Sequence, residues 1–273
     1  MAEVSLLNDD TFKDQVAIVT GGGTGLGLET ATRLGRMGAD VVCVSRDTAN
    51  HAVLLGRGEE HGFTVVSHAL DVRDPKAVKQ VVREIKSQFG RIDVLINNAA
   101  GNFIRPAFVL APKAFATVID IALNGVFYMS REVGRVMKGT GGAIVNISAP
   151  YAATGKPGVV HSACAKAGVD AMTRTLASEW ASYGIRVNAV SPGPFVSEGA
   201  ADRLWPSDEM EQAVKDQIPL GRFGTSREVA ELVCLLASRV VPWLTGTILV
   251  ADGGWSLPQP LVDMETKIQR RRR

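Results

Sequence analysis

The chain has 273 residues, 46% of them apolar and 21% charged, with 30 lysines and arginines against 28 aspartates and glutamates. That balance excludes disordered and fibrous classes, and the length allows one domain with a full core. Aromatics make up only 6% beside 28 glycines, which favours tight backbone turns, and the formal +2 falls to about −2 once the terminal run Arg270–Arg273 is set aside, so nothing asks for a nucleic-acid partner.

Short β-branched runs predict strands at Val16–Thr20, Val41–Ser45, Thr64–Ala69, Val94–Asn97, Ala143–Ile147, Ile185–Val190 and Ile248–Val250. Between them, Gly27–Met37, Pro75–Phe89, Lys113–Met137, Ser162–Tyr183 and Arg227–Ser238 repeat apolar residues every three or four positions and predict helices. Strand-then-helix order with continuously apolar strands predicts an α/β fold: a doubly wound, seven-stranded parallel sheet with helices on both faces. One domain is expected over 1–273, with its core at about 12–257 and a solvated tail at 258–273. The stretch Phe195–Ile218 breaks the rhythm and reads either as an excursion over a substrate site or as a plain surface insertion.

The run Thr20-Gly21-Gly22-Gly23-Thr24-Gly25-Leu26-Gly27 sits between the first strand and the first helix. Glycine lets backbone approach a phosphate, and the free N–H groups of a helix start attract anions, so Gly21, Gly23, Thr24, Gly25, Leu26 and Gly27 predict a dinucleotide pyrophosphate cradle; the rival reading is a tight turn. The second strand ends in Ser45-Arg46, where a carboxylate would select the unphosphorylated cofactor. A guanidinium and a hydroxyl there favour the 2′-phosphate of NADP(H), although Asp47 follows directly.

Asp71-Val72 follows the third strand and Asn97-Asn98-Ala99-Ala100-Gly101 the fourth, at carboxyl ends where such sheets bind ligands. With the glycine turn, Asn146-Ile147-Ser148, Lys166, Pro192-Gly193 and Asp252-Gly253-Gly254, the chain resembles the short-chain dehydrogenase/reductase family along almost its whole length. The resemblance implies Asp71 and Val72 at the adenine, Asn97, Asn98 and Ala99 beside the ribose and sheet, and Pro192, Gly193, Pro194 and Phe195 near the nicotinamide. It also implies a homo-tetramer built on the helices that start at Lys113 and Ser162.

This chain departs from the family's alcohol-oxidising pattern in three of four groups. Ser162 stands four residues before Lys166 where those members have a tyrosine, Ala149 replaces a serine, and Ala122 replaces an asparagine. Tyr151, fifteen residues before Lys166, together with Asn102-Phe103 and Val160-His161-Ser162, resembles instead the mitochondrial type of 2,4-dienoyl-CoA reductase within the family. That resemblance implies NADPH-dependent reduction of an acyl-CoA thioester: hydride to the δ carbon, Tyr151 and Asn102 donating hydrogen bonds to the thioester oxygen, Lys166 holding the nicotinamide ribose and lowering the Tyr151 pKa, and Ser162 steadying Lys166 or the thioester. Arg73 and Arg105 are the candidates for coenzyme A phosphates, and Phe103 for the conjugated chain. Each has a bland rival, namely a strand-end cap for Tyr151, a turn residue for Asn102, helix surface or cap for Ser162, a core aromatic for Phe103, and surface charge for the arginines. His161 reads as a satisfied structural histidine, with contact to a pyrophosphate or the substrate as the alternative.

Rival activities are reduction of a 2-enoyl-CoA, reduction of a 3-oxoacyl thioester or ketone with Tyr151 as acid, and a non-catalytic NADP(H)-binding scaffold. Cys43, Cys164 and Cys234 form no C-x-x-C pair, so neither a disulfide framework nor a metal site is expected. Met1–Thr11 lacks the charge and apolar run of a secretory signal, the terminal arginines are not a Ser-Lys-Leu address, and Val233–Val250 is broken by Arg239 and Pro242. The expectation is a cytoplasmic protein with no membrane span.

Overall fold

The computed structural model describes residues 6–196 and 208–258. The elements run β1 (Val16–Thr20), α1 (Gly25–Arg36), β2 (Asp40–Ser45), α2 (Ala52–His61), β3 (Val65–Ala69), α3 (Pro75–Phe89), β4 (Val94–Asn97) and α4 (Pro112–Ile119). They continue with α5 (Gly125–Met137), β5 (Gly142–Ile147), α6 (Tyr151–Thr154), α7 (Val160–Trp180), β6 (Ile185–Pro192), β7 (Phe195–Val196), α8 (Asp208–Lys215), β8 (Gly224–Thr225), α9 (Ser226–Ala237) and β9 (Ile248–Ala251). The seven-stranded sheet has the order β3-β2-β1-β4-β5-β6-β9, and every pair in it is parallel. Winding therefore reverses between β1 and β4, which opens a crevice at their carboxyl ends.

Alternation along the strands divides the core. Ala17, Val19, Val41, Cys43, Ile96 and Val145 face α1 and α9, meeting Leu34, Val229 and Val233. Ile18, Val42, Val44, Leu95 and Ile144 face the other way, onto Val78, Val82 and Ile85 of α3 and Met129, Val133 and Met137 of α5. Because both faces are covered, the stretches Val16–Val19, Val41–Val44, Val94–Ile96 and Ala143–Val145 are apolar and buried on both sides.

The predicted strands and four of the five predicted helices stand within a few residues of expectation. The fifth, Lys113–Met137, is interrupted by a π-helical turn at Asp120–Asn124. That turn seats Ala122 with Val118 against Ala165 of α7, while Gly125 lies so close to Val72 that a Cβ would stand 2.7 Å from its Cγ2. Helix α2 was hidden by Gly56 and Gly58. The second of these is needed, since a Cβ there would lie 2.8 Å from Val65 Cγ2. Of the irregular stretch, Phe195–Val196 pairs with Gly224–Thr225 and α8 covers 208–215, whereas 197–207 lie outside the described residues, as does Arg270–Arg273. No helix among the described residues is long and apolar enough to cross a membrane.

A buried chain of polar side chains ties this frame together. Asn97 Nδ2 donates to Ser130 Oγ at 2.9 Å and to Asn146 Oδ1 at 2.8 Å, and Asn146 Nδ2 donates to Thr173 Oγ1 at 2.9 Å. Since all four residues are buried, losing one member strands its neighbours without water. Asn146→Ala is expected to cost about 3 kcal/mol and lower Tm by roughly 9 °C, as read by thermal denaturation, whereas Thr175→Ala on the exposed face of α7 is expected to leave Tm within about 2 °C.

Candidate active site

The turn after β1 is locked to the turn after β4. Thr20 Oγ1 accepts from the N–H groups of Asn98 and Ala99, both at 2.9 Å, and Asn98 Nδ2 donates back to the carbonyls of Thr20 and Gly21 at 3.0 and 3.2 Å. Gly21 takes φ 66°, and a Cβ on Gly27 would stand 2.1 Å from the Gly21 carbonyl oxygen. A Cβ on Gly23 would meet the Asn50 carbonyl at 2.5 Å. Helix α1 opens at Gly25 without a side-chain cap from Thr24. Tight backbone next to an uncapped helix start is the geometry that fits a pyrophosphate.

A cleft of about 270 Å³ lies beside it at the switch between β1 and β4. It brings together Gly21 and Thr24, Ser45 and Arg46 after β2, Asp71 and Val72 after β3, and Asn98 and Ala99 after β4. Ser45 Oγ donates to the Asp47 carbonyl at 2.9 Å and meets His51 Nε2 at 2.6 Å, while His51 Nδ1 meets Ser67 Oγ at 2.6 Å. His51 is buried and its pKa is lowered by that burial, opposed by the Asp47 charge. Its role beneath Ser45 was invisible in the sequence, because the two hydroxyls it bridges come from different strands. Arg73 grips Asp71, with Nε at 2.9 Å from Oδ1 and Nη2 at 2.5 Å from Oδ2. That pairing, with a smaller contribution from Arg46, holds the Asp71 carboxyl below its usual range. Arg73 therefore stands at the cofactor end of the crevice, whereas Arg105 is exposed on the loop after β4, its N–H donating to the Gly158 carbonyl at 2.8 Å.

Pro192 closes β6, and Pro194 and Phe195 line a second cavity of about 530 Å³ at the ends of β6 and β9. Gly193 is required there, because a Cβ would sit 2.5 Å from that of Asp252.

The reaction cluster forms where β5 ends. Tyr151 begins α6, and its hydroxyl lies 3.0 Å from Ser162 Oγ in the first turn of α7 and 3.4 Å from Asn102 Nδ2, which donates to it from the loop after β4. Ser162 is 2% exposed, so it is not helix surface, and it lies inside α7, whose N-cap is Val159, so it is not a cap. Lys166, one turn further, is 5% exposed and donates through Nζ to the Ile147 carbonyl. Ala149 and Ala122 are both buried and offer no hydroxyl or amide.

Two expectations are corrected. Burial raises the Tyr151 pKa, opposed by the Ser162 hydrogen bond and not by Lys166, whose own pKa burial lowers to about 8. Tyr151 is thus a neutral phenol, a donor by nature. His161 is buried as expected but not satisfied: neither ring nitrogen has a partner among the described residues, and the ring instead stacks on Phe103 with centroids 4.4 Å apart. Phe103, 38% exposed, is therefore a partly open wall rather than core. No group of histidines, cysteines and carboxylates able to hold a metal occurs among the described residues.

A parallel sheet with a glycine cradle at its switch point, and a tyrosine, serine and lysine converging beyond it, defines a nicotinamide-nucleotide oxidoreductase. Residues 21–256 match the family model described as Enoyl-(Acyl carrier protein) reductase. The chain is 42% identical over 251 residues to a peroxisomal 2,4-dienoyl-CoA reductase, (3E)-enoyl-CoA-producing, of Danio rerio, covering 91% of this chain and 84% of that one. It is 41% identical over 256 residues to a probable 2,4-dienoyl-CoA reductase, (2E)-enoyl-CoA-producing, of Bacillus subtilis, covering 91% and 100%. A gluconate 5-dehydrogenase from Burkholderia cenocepacia, solved with NADP and tartrate, superposes with TM-score 0.87 at 28% identity, covering 93% and 100%. The chain belongs to the short-chain dehydrogenase/reductase family.

The cradle makes a direct prediction. Gly27→Ala is expected to weaken nicotinamide-nucleotide binding at least about 100-fold in a fluorescence titration, because a methyl group cannot share space with the Gly21 carbonyl.

Proposed function

We propose that the protein reduces 2,4-dienoyl-CoA to 3-enoyl-CoA with NADPH, a step in the breakdown of unsaturated fatty acids. The observation that carries this reading is the meeting of Tyr151, Ser162 and Asn102 at one point, while the family's other polar positions hold Ala149 and Ala122. The likeness to reductases named for dienoyl-CoA supports the substrate, and the NADP-bound structural relative supports the cofactor.

When bound, the nicotinamide supplies a hydride. The cradle residues Gly21, Gly23, Thr24, Gly25, Leu26 and Gly27 would hold the pyrophosphate, Arg46 with Ser45 the adenosine 2′-phosphate, and Asp71 with Val72 the adenine. Asn98, Ala99 and Lys166 would lie at the riboses, and Pro192 to Phe195 toward the nicotinamide.

Reduction at the δ carbon of a conjugated thioester drives negative charge onto the thioester oxygen. Two donors at Tyr151 and Asn102 stabilise it there, and a neutral phenol with a raised pKa is suited to donate without giving up its proton. Ser162 aligns the phenol. The dienolate then takes a proton from water, directly or relayed through the Tyr151 hydroxyl, at the α carbon, leaving a 3-enoyl product and hydroxide; protonation at the γ carbon would leave the 2-enoyl isomer instead. Phe103 flanks the acyl chain. Arg105 would meet coenzyme A phosphates, and Arg73 would do so only by exchanging Asp71. Family resemblance also supports a homo-tetramer, and Phe127, exposed on α5, is an apolar side chain that such an interface would cover.

The family model's own description favours one second reading, reduction of a 2-enoyl thioester. NADPH oxidation with 2,4-dienoyl-, 2-enoyl- and 3-oxoacyl-CoA separates these activities, and the position of the product double bond fixes the protonation site. Dienoyl-dependent turnover is expected, with kcat falling about 100-fold in Tyr151→Phe and a similar loss in Asn102→Ala. Turnover of the dienoyl thioester that survives both substitutions would overturn the proposal. In the same assay Arg46→Ala is expected to raise the KM for NADPH about tenfold and leave that for NADH unchanged.

A further inference from the structure

Asp170 lies one helical turn beyond Lys166 on the same face of α7, and it is buried. Ser148, directly after β5, donates from Oγ to Asp170 Oδ1 at 2.5 Å. Ile147, the residue before it, presents the carbonyl that receives Lys166 Nζ. Two successive residues at the end of β5 are therefore stapled to two successive rungs of α7. Tyr151 follows Ser148 by three residues and Ser162 precedes Lys166 by one turn, so the staple also sets the separation across which the phenol and Ser162 meet.

The charges are complementary as well. A buried carboxylate needs a cation nearby, and two flank Asp170 on α7, Lys166 one turn before and Arg174 one turn after. Burial pushes the Asp170 carboxyl up, while the Ser148 hydrogen bond, Arg174 and Lys166 pull it down. Burial pushes Lys166 down to about 8, and the Asp170 charge is what opposes this. From the neighbouring elements come the Ile147 carbonyl, which receives Lys166, and the Ser148 hydroxyl, which meets Asp170; among the described residues Asp170 is the anion that acts on Lys166.

We propose that Asp170 is a positioning residue of this site: through Ser148 it pins the end of β5 to α7, and its negative charge keeps the Lys166 ammonium charged on the Ile147 carbonyl. The inference rests on the reading of Lys166 as the residue that holds the nicotinamide ribose.

Asp170→Asn separates charge from hydrogen bond, because the amide oxygen still accepts from Ser148. Competitive amine labelling of Lys166 across pH, in cofactor-free protein, is expected to show its pKa lowered by about one unit in Asp170→Asn. Because the ammonium is the binding form, NADPH affinity should then be lost at correspondingly lower pH, with Kd about fivefold weaker near pH 8 and approaching tenfold weaker above pH 9. Ser148→Ala leaves the charge in place, so it should reduce kcat several-fold without moving the Lys166 titration. An unshifted Lys166 titration in Asp170→Asn, in protein with parental Tm, overturns the inference whatever happens to turnover. Lys166→Met tests the underlying reading separately: unchanged NADPH binding and turnover in that variant would remove the role assigned to Lys166, even if Asp170 still sets its pKa.

Discussion

The buried hydrogen-bond chain from Ser130 through Asn97 and Asn146 to Thr173 is the interaction on which the rest of the molecule depends. It crosses β4, β5, α5 and α7 at the depth where a parallel sheet is otherwise wholly apolar, and each amide is satisfied only in one register. An apolar core alone would let α7 slide along the sheet by a fraction of a turn at small cost. A chain of amides and hydroxyls admits no such slippage without leaving a donor dry. Ser162 and Lys166 ride on that helix, so their placement follows from a network that includes neither of them.

On this frame the two halves of the site are built by different means. The cofactor half is made of backbone: Thr20, Asn98 and the glycines bring two turns close enough that a methyl group at Gly27 cannot be placed. The reaction half is made of side chains in a low-dielectric corner, where burial pushes Tyr151 up and Lys166 down. The neutral forms of both are thereby favoured relative to water. For the phenol that is compatible with donating a hydrogen bond to developing charge, and for the lysine it creates a need for a compensating anion.

The replacement of the family's usual tyrosine by Ser162 becomes intelligible in three dimensions. Tyr151 reaches Ser162 Oγ from α6, so the phenolic oxygen is held beside that position although its Cα lies on another helix. The same turn of α7 carries His161, whose ring supports Phe103 and through it the loop of Asn102.

Much of this was legible in residues 16–251, because local patterns carry it. Apolar strand runs alternating with helical periodicity give the parallel sheet, and glycine spacing between β1 and α1 gives the cradle, as both depend on backbone geometry close in sequence. The sequence by itself therefore determined the fold class, the family, and Tyr151, Lys166, Asn102 and Ser162 as the residues to examine. Other features depend on partners remote in the chain: the grip of Arg73 on Asp71 rather than on open solvent, the seat of His51 between Ser45 and Ser67, the staple from Ser148 to Asp170, and the burial that raises Tyr151 instead of a lysine that lowers it. Those the tertiary structure alone decided, because hydrogen-bond partners and desolvation are properties of where the chain meets itself, and no local spacing encodes them.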